Sequence, residues 1–522
     1  MKLFYSGLIT ALCFFMAAQI SLASKIVNIA VTSDIHGWVS TKYIYPGKKA
    51  SGLLHIADAI HSLRKKNPEL ILLDSGDLLS GSPLQFYYNH VQKDPLNNNV
   101  FFNLLTQLKY DAITVGNHDL DIYRQLKHSY FPKSRFKWLA ANLYENGKTP
   151  FLPYIILRRN QLSIAIFGLT TPGSLMWNQL SRNSNIEIQS IKSALHYWIS
   201  HIRQTQSPDL IIGLFHVGLN SFWDDENSKI KGIPPANELR EALKETNDLD
   251  LIISGHDHRL NPYRSGQKIR YIQGVPTVSP GYGGKVVLHL QLRVNRIGSD
   301  WTVTHIVTVP IKADTNSHSE QVYSQMLSGR YKSYIQAKLP WKIGKTTNKQ
   351  ASICFNQLMA IAHSSSSKHG SLFPYTKIKR IRNQRGKYLR RADLFRWFRY
   401  HNRSVTVKLS KRDIYLLNHP QREFGKWKVA YNRKLFFWSK KPLDYKEADS
   451  FWWPDSDVFD RRIKFGLSDY HAHGGGGVVP GLFIHDEMIE AEKGQFLKER
   501  LFKYLSTSKD PLPDNCGFLA RQ

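Results

Sequence analysis

Several polar residues of this chain have types and spacings suited to binding cations. They are Asp34 and His36, Asp77, the run Asn117, His118, Asp119 and Asp121, then His216, and finally His256 and His258. Carboxylates, imidazoles and one amide oxygen make a mixed nitrogen and oxygen ligand set. Such a set suits Zn, Mn, Fe or Co better than soft thiolate chemistry would. It is larger than one cation needs, and a carboxylate can bridge two. Two cations about 4 Å apart form a clamp for in-line displacement at phosphate. Each residue also has a plain structural role open to it. Asp77 could cap a helix, Asn117 could support a turn beside Gly116, and the histidines could be loop residues. The joint placement is what argues for chemistry.

That placement follows from the elements around them. Short apolar runs at 26–31, 70–74, 111–115, 162–169, 209–215 and 249–253 read as buried strands. Between them, 51–66, 99–109, 187–204 and 235–246 carry helical periodicity. Strands alternating with helices predict an α/β fold with central mixed sheets. The polar groups fall just after five of those strands, where ligands of open α/β sheets bind. From 267 to 310 the pattern alternates and is broken by Gly and Pro, as in antiparallel strands. Residues 317–338 read as a polar-faced helix. Beyond them lie helices at 351–362 and 392–400 and strands at 404–409 and 462–467. The expected division is 24–315 as the first domain, a linker helix within 316–345, and a smaller second domain over 346–522.

The first 23 residues have a lysine, an apolar stretch and small residues at Ser21-Leu22-Ala23, which reads as a cleaved secretory signal. The expected location is therefore periplasmic or secreted. Of the three cysteines, Cys354 and Cys516 remain after such cleavage, and an oxidising compartment could join them. Sequence leaves their pairing open. The formal net charge is +30, concentrated between Lys377 and Lys440. A basic patch there could attract phosphate-rich ligands, anionic polymers or membrane surfaces. No zinc-finger, RRM or recognition-helix pattern supports sequence-specific nucleic-acid reading. No obligate protein partner is evident.

The ordered motifs DIHG, GD, GNHD, H and GHDH resemble those of the calcineurin-like metallophosphoesterase superfamily. With the leader and the second domain, the chain resembles the secreted 5'-nucleotidase and 2',3'-cyclic nucleotide phosphodiesterase family. That resemblance implies a four-layer metallophosphoesterase domain followed by an α+β substrate-binding domain. It implies two divalent cations, Zn, Mn or Fe. Asp34, His36, Asp77 and His258 would hold the first, and Asp77, Asn117, His216 and His256 the second. Hydroxide activated by the metals would attack phosphorus. His118, oriented by Asp121, would stabilise the transition state or protonate the leaving oxygen.

The implied substrate is a small nucleotide or related phosphate ester, most directly a 5'-nucleotide. Alternatives are a 2',3'-cyclic nucleotide, a UDP-sugar, or slow turnover by a scaffold that binds anionic ligands. In the second domain, IKFGLSDYHAHGGGGVV resembles the family's late nucleoside-binding motif. Tyr470 stands where an aromatic residue sandwiches the base. Gly476 replaces the family's usual acid. KIKRIRNQRGK lacks the family's glycine run, although Arg382 matches its arginine. Phe424 and Trp427 are candidates for the partner aromatic.

Overall fold

The computed structural model describes residues 24–41, 44, 51–178, 185–219, 224–225, 228–229, 231–246, 248–314, 325–364, 370–374, 385–398, 402–409, 435–439, 445–447, 463–468, 496–507, 512 and 516–521. Residues 1–23, Tyr470, Arg382, Phe424, Trp427 and Gly476 lie outside them, as does most of the basic segment.

The apolar runs become strands buried on both faces. The first part contains β1 (Ser24–Thr32), α1 (Leu53–Lys66), β2 (Ile71–Asp74), α2 (Val100–Leu108), β3 (Ala112–Thr114), β4 (Lys137–Leu139), β5 (Tyr154–Arg159), β6 (Leu162–Thr170) and α3 (Ile191–Gln206). It continues with β7 (Leu210–His216), β8 (Leu251–Ser254), β9 (Val275–Pro280), β10 (Val286–Ile297) and β11 (Asp300–Lys312). One six-stranded sheet has the order β11-β10-β1-β2-β3-β4. A seven-stranded sheet includes β9-β8-β7-β6-β5 in that order. The inner strands of both are parallel, and β10, β11 and β5 are antiparallel additions.

Val27, Ile29, Leu73, Ile164, Ile166, Ile212, Leu214, Ile253 and Leu290 fill the space between the sheets. Ile56, Ile60, Phe101 and Leu105 from α1 and α2 pack on the outer face of the first sheet. Leu195, Ile199 and Ile202 from α3 cover the second. The layers are therefore helix, sheet, sheet, helix, as expected. Register brings the carboxyl ends to one edge: Thr32 pairs with Asp74, Asp74 with Ile113, and Thr170 with His216. Across the sheets, Thr114 Oγ1 donates to the Leu214 carbonyl at 2.5 Å. That bond draws the end of β3 towards the end of β7.

Three expected elements differ. The helix expected over 235–246 is a single turn, Leu239–Ala242; before it the Asn237 amide donates to Asp225 Oδ1 at 2.7 Å and its side-chain oxygen accepts the Gly218 amide at 2.9 Å, so bonds to other segments hold the chain there. The helix expected from 187 begins at Ile191, after a short strand Ile186–Ile188. There the β-branched alternation of IEI outweighs helical periodicity. The helix expected over 317–338 is present as α4 (Gly329–Gln336) in its later described part, and β12 (Lys338–Ile343) follows at once. The linker placed at 316–345 is thus not one helix. Burial alternates along KLPWKI, and Pro340 cannot continue the helical ladder.

The remaining chain builds α5 (Asn348–Ser364), β13 (Gly370–Pro374), β14 (Tyr388–Arg390), α6 (Arg391–Trp397), β15 (Ser404–Leu409), β16 (Leu435–Ser439), β17 (Tyr445–Glu447), β18 (Ile463–Ser468), α7 (Leu497–Thr507) and β19 (Leu519–Arg521). A three-stranded sheet has the order β14-β12-β19, and a five-stranded one β15-β18-β13-β16-β17. Trp341, Phe355, Leu358, Trp397, Leu501 and Phe518 form a separate core. Cys354 and Cys516 are joined within it as a disulfide.

Candidate metal centre

The loops after β1 and β2 run together like a short ladder. The Asp34 amide donates to the Gly76 carbonyl at 2.9 Å, the His36 amide to Asp77 at 2.9 Å, and the Gly37 amide to Leu78 at 2.7 Å. Asp34, His36, Asp77, His256 and His258 all have left-handed backbone, with φ of 50°, 51°, 57°, 74° and 55°. For residues with a Cβ this conformation costs free energy. It persists where surrounding structure imposes it, commonly at functional sites. Here it turns consecutive loop side chains inward.

Asp34, His36, Asp77 and His258 place one ligand atom each within 4.8 Å of one another. Asp34 Oδ1 is buried, accepts no hydrogen bond within the protein, and lies 3.2 Å from His258 Nε2. His36 Nδ1 lies 3.0 Å from the Ser80 carbonyl, which makes it the protonated nitrogen. Its Nε2 then faces His258 Nε2 at 3.0 Å. An unpartnered buried carboxylate oxygen and two facing ring nitrogens fit a cation.

A second group adjoins the first. His216 Nδ1 meets the Ser75 carbonyl at 2.7 Å, directing Nε2 to Asn117 Oδ1 at 3.1 Å and Asp77 Oδ2 at 3.3 Å. The same Asp77 oxygen is 3.9 Å from His36 Nε2. Asp77 therefore stands between the groups. The His256 ring lies 5.2 Å from that of His216, centroid to centroid, and its backbone amide donates to Asp34 Oδ2 at 3.2 Å. The structure thus brings together all seven ligand-type residues expected from the sequence.

Burial opposes ionisation of Asp77, but His216 and His118 outweigh it and hold the carboxyl well below its usual range. Burial likewise opposes ionisation of Asp34, whose contacts with His258 and His216 keep it low. Burial would neutralise His216, yet Asp77 pushes it up to about 10. Burial lowers His36 to about 4, and burial together with His216 lowers His256 to about 3. Neutral rings beside ionised carboxylates are ready ligands, and a cation would displace the proton shared by His216 and Asp77.

His118 belongs to the same site in another way. Its backbone amide donates to Asp77 Oδ1 at 2.7 Å, while its Nδ1 meets Asp121 Oδ2 at 2.8 Å. A third of the side chain is exposed, and its ring lies 5.3 Å from that of His36. Burial acts against its charge, but Asp77 and Asp121 raise it to about 9. It can therefore hold a proton at neutral pH.

The resemblance gives Asp119 no role. Its buried Oδ1 accepts the amides of Leu78 and Leu79, at 2.9 and 2.7 Å, and its Oδ2 accepts that of Gly116 at 3.0 Å. It clamps the Asp77 loop to the Asn117 loop. Trp177 and Asn178 were also missed. Trp177 stacks on His256 with centroids 5.4 Å apart, and Tyr282 stacks on His258 at 4.8 Å. No spacing pattern marks these residues; only their position after a strand end, beyond β6 for the first pair, could have drawn attention to them.

Comparison with known proteins agrees with this geometry. Residues 27–260 match the family described as calcineurin-like phosphoesterase. The chain is 26% identical over 310 residues to the trifunctional nucleotide phosphoesterase protein YfkN of Bacillus subtilis, covering 55% of this chain and 21% of the relative. It is 24% identical over 315 residues to the 2',3'-cyclic-nucleotide 2'-phosphodiesterase/3'-nucleotidase of Salmonella typhimurium, covering 56% of this chain and 47% of the relative. The matched region thus spans less than half of either relative. The crystal structure of a 5'-nucleotidase precursor from Thermus thermophilus superposes with a TM-score of 0.63 at 14% identity, over 92% of this chain and 96% of that one. That likeness extends the shared fold through the second domain. The match to calcineurin-like phosphoesterases thus spans the segment, residues 27–260, that carries all seven ligand-type residues.

Proposed function

We propose that this protein is a metal-dependent hydrolase of nucleotide phosphate esters. The reading rests above all on Asp77, whose Oδ2 lies 3.9 Å from His36 Nε2 and 3.3 Å from His216 Nε2. A carboxylate between the two sets of ligands would serve two cations. Asp34, His36, Asp77 and His258 would hold one cation, and Asp77, Asn117, His216 and His256 the other. Zn, Mn and Fe all suit these donors. When bound, the cations would activate water and neutralise charge on phosphate oxygens.

The chain's own groups supply the rest. Hydrolysis adds a water oxygen to phosphorus and breaks the bond to the ester oxygen. His118 would give that oxygen a proton from Nε2, while its Nδ1–H remains with Asp121. Such proton transfer contributes on the order of 10²–10⁴ in rate.

A 5'-nucleotide is the substrate that the family resemblance implies. The Salmonella relative's name supports a second reading, a 2',3'-cyclic nucleotide. The second domain would bind the nucleoside, with Tyr470 against the base and Arg382 near an anionic group. Export is supported by the Cys354–Cys516 disulfide, since such bonds persist in oxidising compartments. No described helix is long and apolar enough to cross a membrane. The test is a panel of 5'-nucleotides, 2',3'-cyclic nucleotides, UDP-sugars and p-nitrophenyl phosphate, assayed with Zn, Mn or Fe. Turnover of nucleotides well above p-nitrophenyl phosphate is expected. No turnover of any ester with any of these metals would refute the hydrolase reading.

A further inference from the structure

We propose that Asn178 is a positioning residue that sets the His118–Asp121 pair and, together with Trp177, couples it to the second group of metal ligands. The inference rests on the hydrolase reading and assigns a role within that site.

The segment after β6 is built to deliver this pair. Thr171 Oγ1 donates to the Ala236 carbonyl at 2.6 Å and accepts the Gly173 amide at 3.1 Å, which tightens the turn. A Cβ at Gly173 would lie 2.5 Å from the Trp177 ring and 2.8 Å from Ala236 Cβ. Only glycine lets the one-turn helix Ser174–Trp177 fold back closely enough. Trp177 then lies nearly parallel to His256, at 23°. The next residue, Asn178, is 2% exposed.

The Asn178 amide nitrogen carries two hydrogens and meets two acceptors. One is Asp121 Oδ1 at 2.5 Å, and the other is the Asn117 backbone carbonyl at 2.9 Å. Asp121 uses its other oxygen for His118 Nδ1. The amide therefore fixes both the carboxylate that orients the imidazole and the backbone of a proposed metal ligand. A single planar group sets the distance between proton donor and cation site. Truncating it frees Asp121 to rotate. Replacing it with a carboxylate sets two like charges face to face and removes both donors.

Leaving-group dependence separates this role from a structural one. A nucleoside alkoxide needs a proton as it departs, whereas p-nitrophenolate barely does. N178A is expected to lower kcat for a nucleotide monoester by about 10–100-fold, the range typical of groups that orient a reactive residue. For p-nitrophenyl phosphate, with both rates normalised to bound metal, the loss is expected to be several-fold smaller. In ¹⁵N-histidine NMR, the His118 Nδ1–H resonance, assigned by its loss in H118N, should shift or broaden in N178A.

Should N178A fail to fold, N178D and N178D/D121N decide. The double variant restores one donor facing one acceptor, and should recover about ten-fold over N178D on the nucleotide. Equal loss on both esters, no loss on either, an unmoved His118 resonance, or no recovery in the double variant would overturn the role of Asn178. Absence of all hydrolysis by the wild-type protein would instead strike the hydrolase reading, and the NMR comparison would still test the hydrogen bonds.

Discussion

His118 separates proton chemistry from cation binding at the scale of one residue. It touches Asp77 only through its backbone amide and Asp121 through its ring. His118→Asn should therefore leave metal content nearly unchanged while lowering kcat on nucleotides by roughly 10²–10⁴. Elemental analysis beside steady-state kinetics checks both halves; wild-type kcat would contradict the role. Asp74 offers a test of the support beneath the site. Its Oδ1 accepts the Gly76 amide, its Oδ2 bonds Thr32, and burial raises it from 3.8 to about 8. A carboxyl raised on folding binds its proton more tightly in the folded state. Its contribution is present below about 3.8 and is lost as pH rises through about 8. Asp74→Asn mimics the protonated form, so urea midpoints measured between pH 5 and 9 should fall less steeply in the variant. Equal slopes would show that Asp74 is not the group responsible.

The loops after the strands, as elements, set the ligand geometry. A Cβ at Gly116 would lie 2.2 Å from the Asp77 amide and 2.3 Å from its Oδ1. Gly116→Ala should thus push the Asp77 and Asn117 loops apart and weaken metal affinity by about 10–100-fold, as read by titration with a competing chelator. Unchanged affinity would mean that the loops tolerate separation. The strands were legible because a parallel strand covered on both sides must be apolar along its length, as in IVNIAV and LILLD. Side chains placed just beyond them were legible for the same reason. Asp119 was not, because its three backbone partners belong to two loops that sequence spacing does not bring together. The strand at Lys338–Ile343 falls inside the expected linker helix, where Pro340 cannot continue the helical ladder. The left-handed conformations of Asp34, His36, Asp77, His256 and His258 have no signature in residue type.

The whole molecule joins the layered first unit to a second unit with its own core. Arg396 of α6 donates to the Ile44 carbonyl at 2.8 Å, and Phe86 packs against Phe395 and Phe496. Within the second unit the Cys354–Cys516 bond closes a separation of 162 residues. Its loss should destabilise that unit by about 2–5 kcal/mol. Cys354→Ala/Cys516→Ala should therefore unfold at lower denaturant concentration while still hydrolysing p-nitrophenyl phosphate, which needs no nucleoside pocket. An unshifted transition would contradict a stabilising bond. The proposed metal centre is tested most directly by counting cations. Elemental analysis of the purified wild-type chain, with hydrolysis measured before and after chelation, should give two divalent cations per chain and activity that disappears with them. Asp77→Ala should lower occupancy of both sites and leave almost no hydrolysis. Two tightly held cations in Asp77→Ala, or full hydrolysis in the stripped wild type, would contradict a shared carboxylate at the heart of the site.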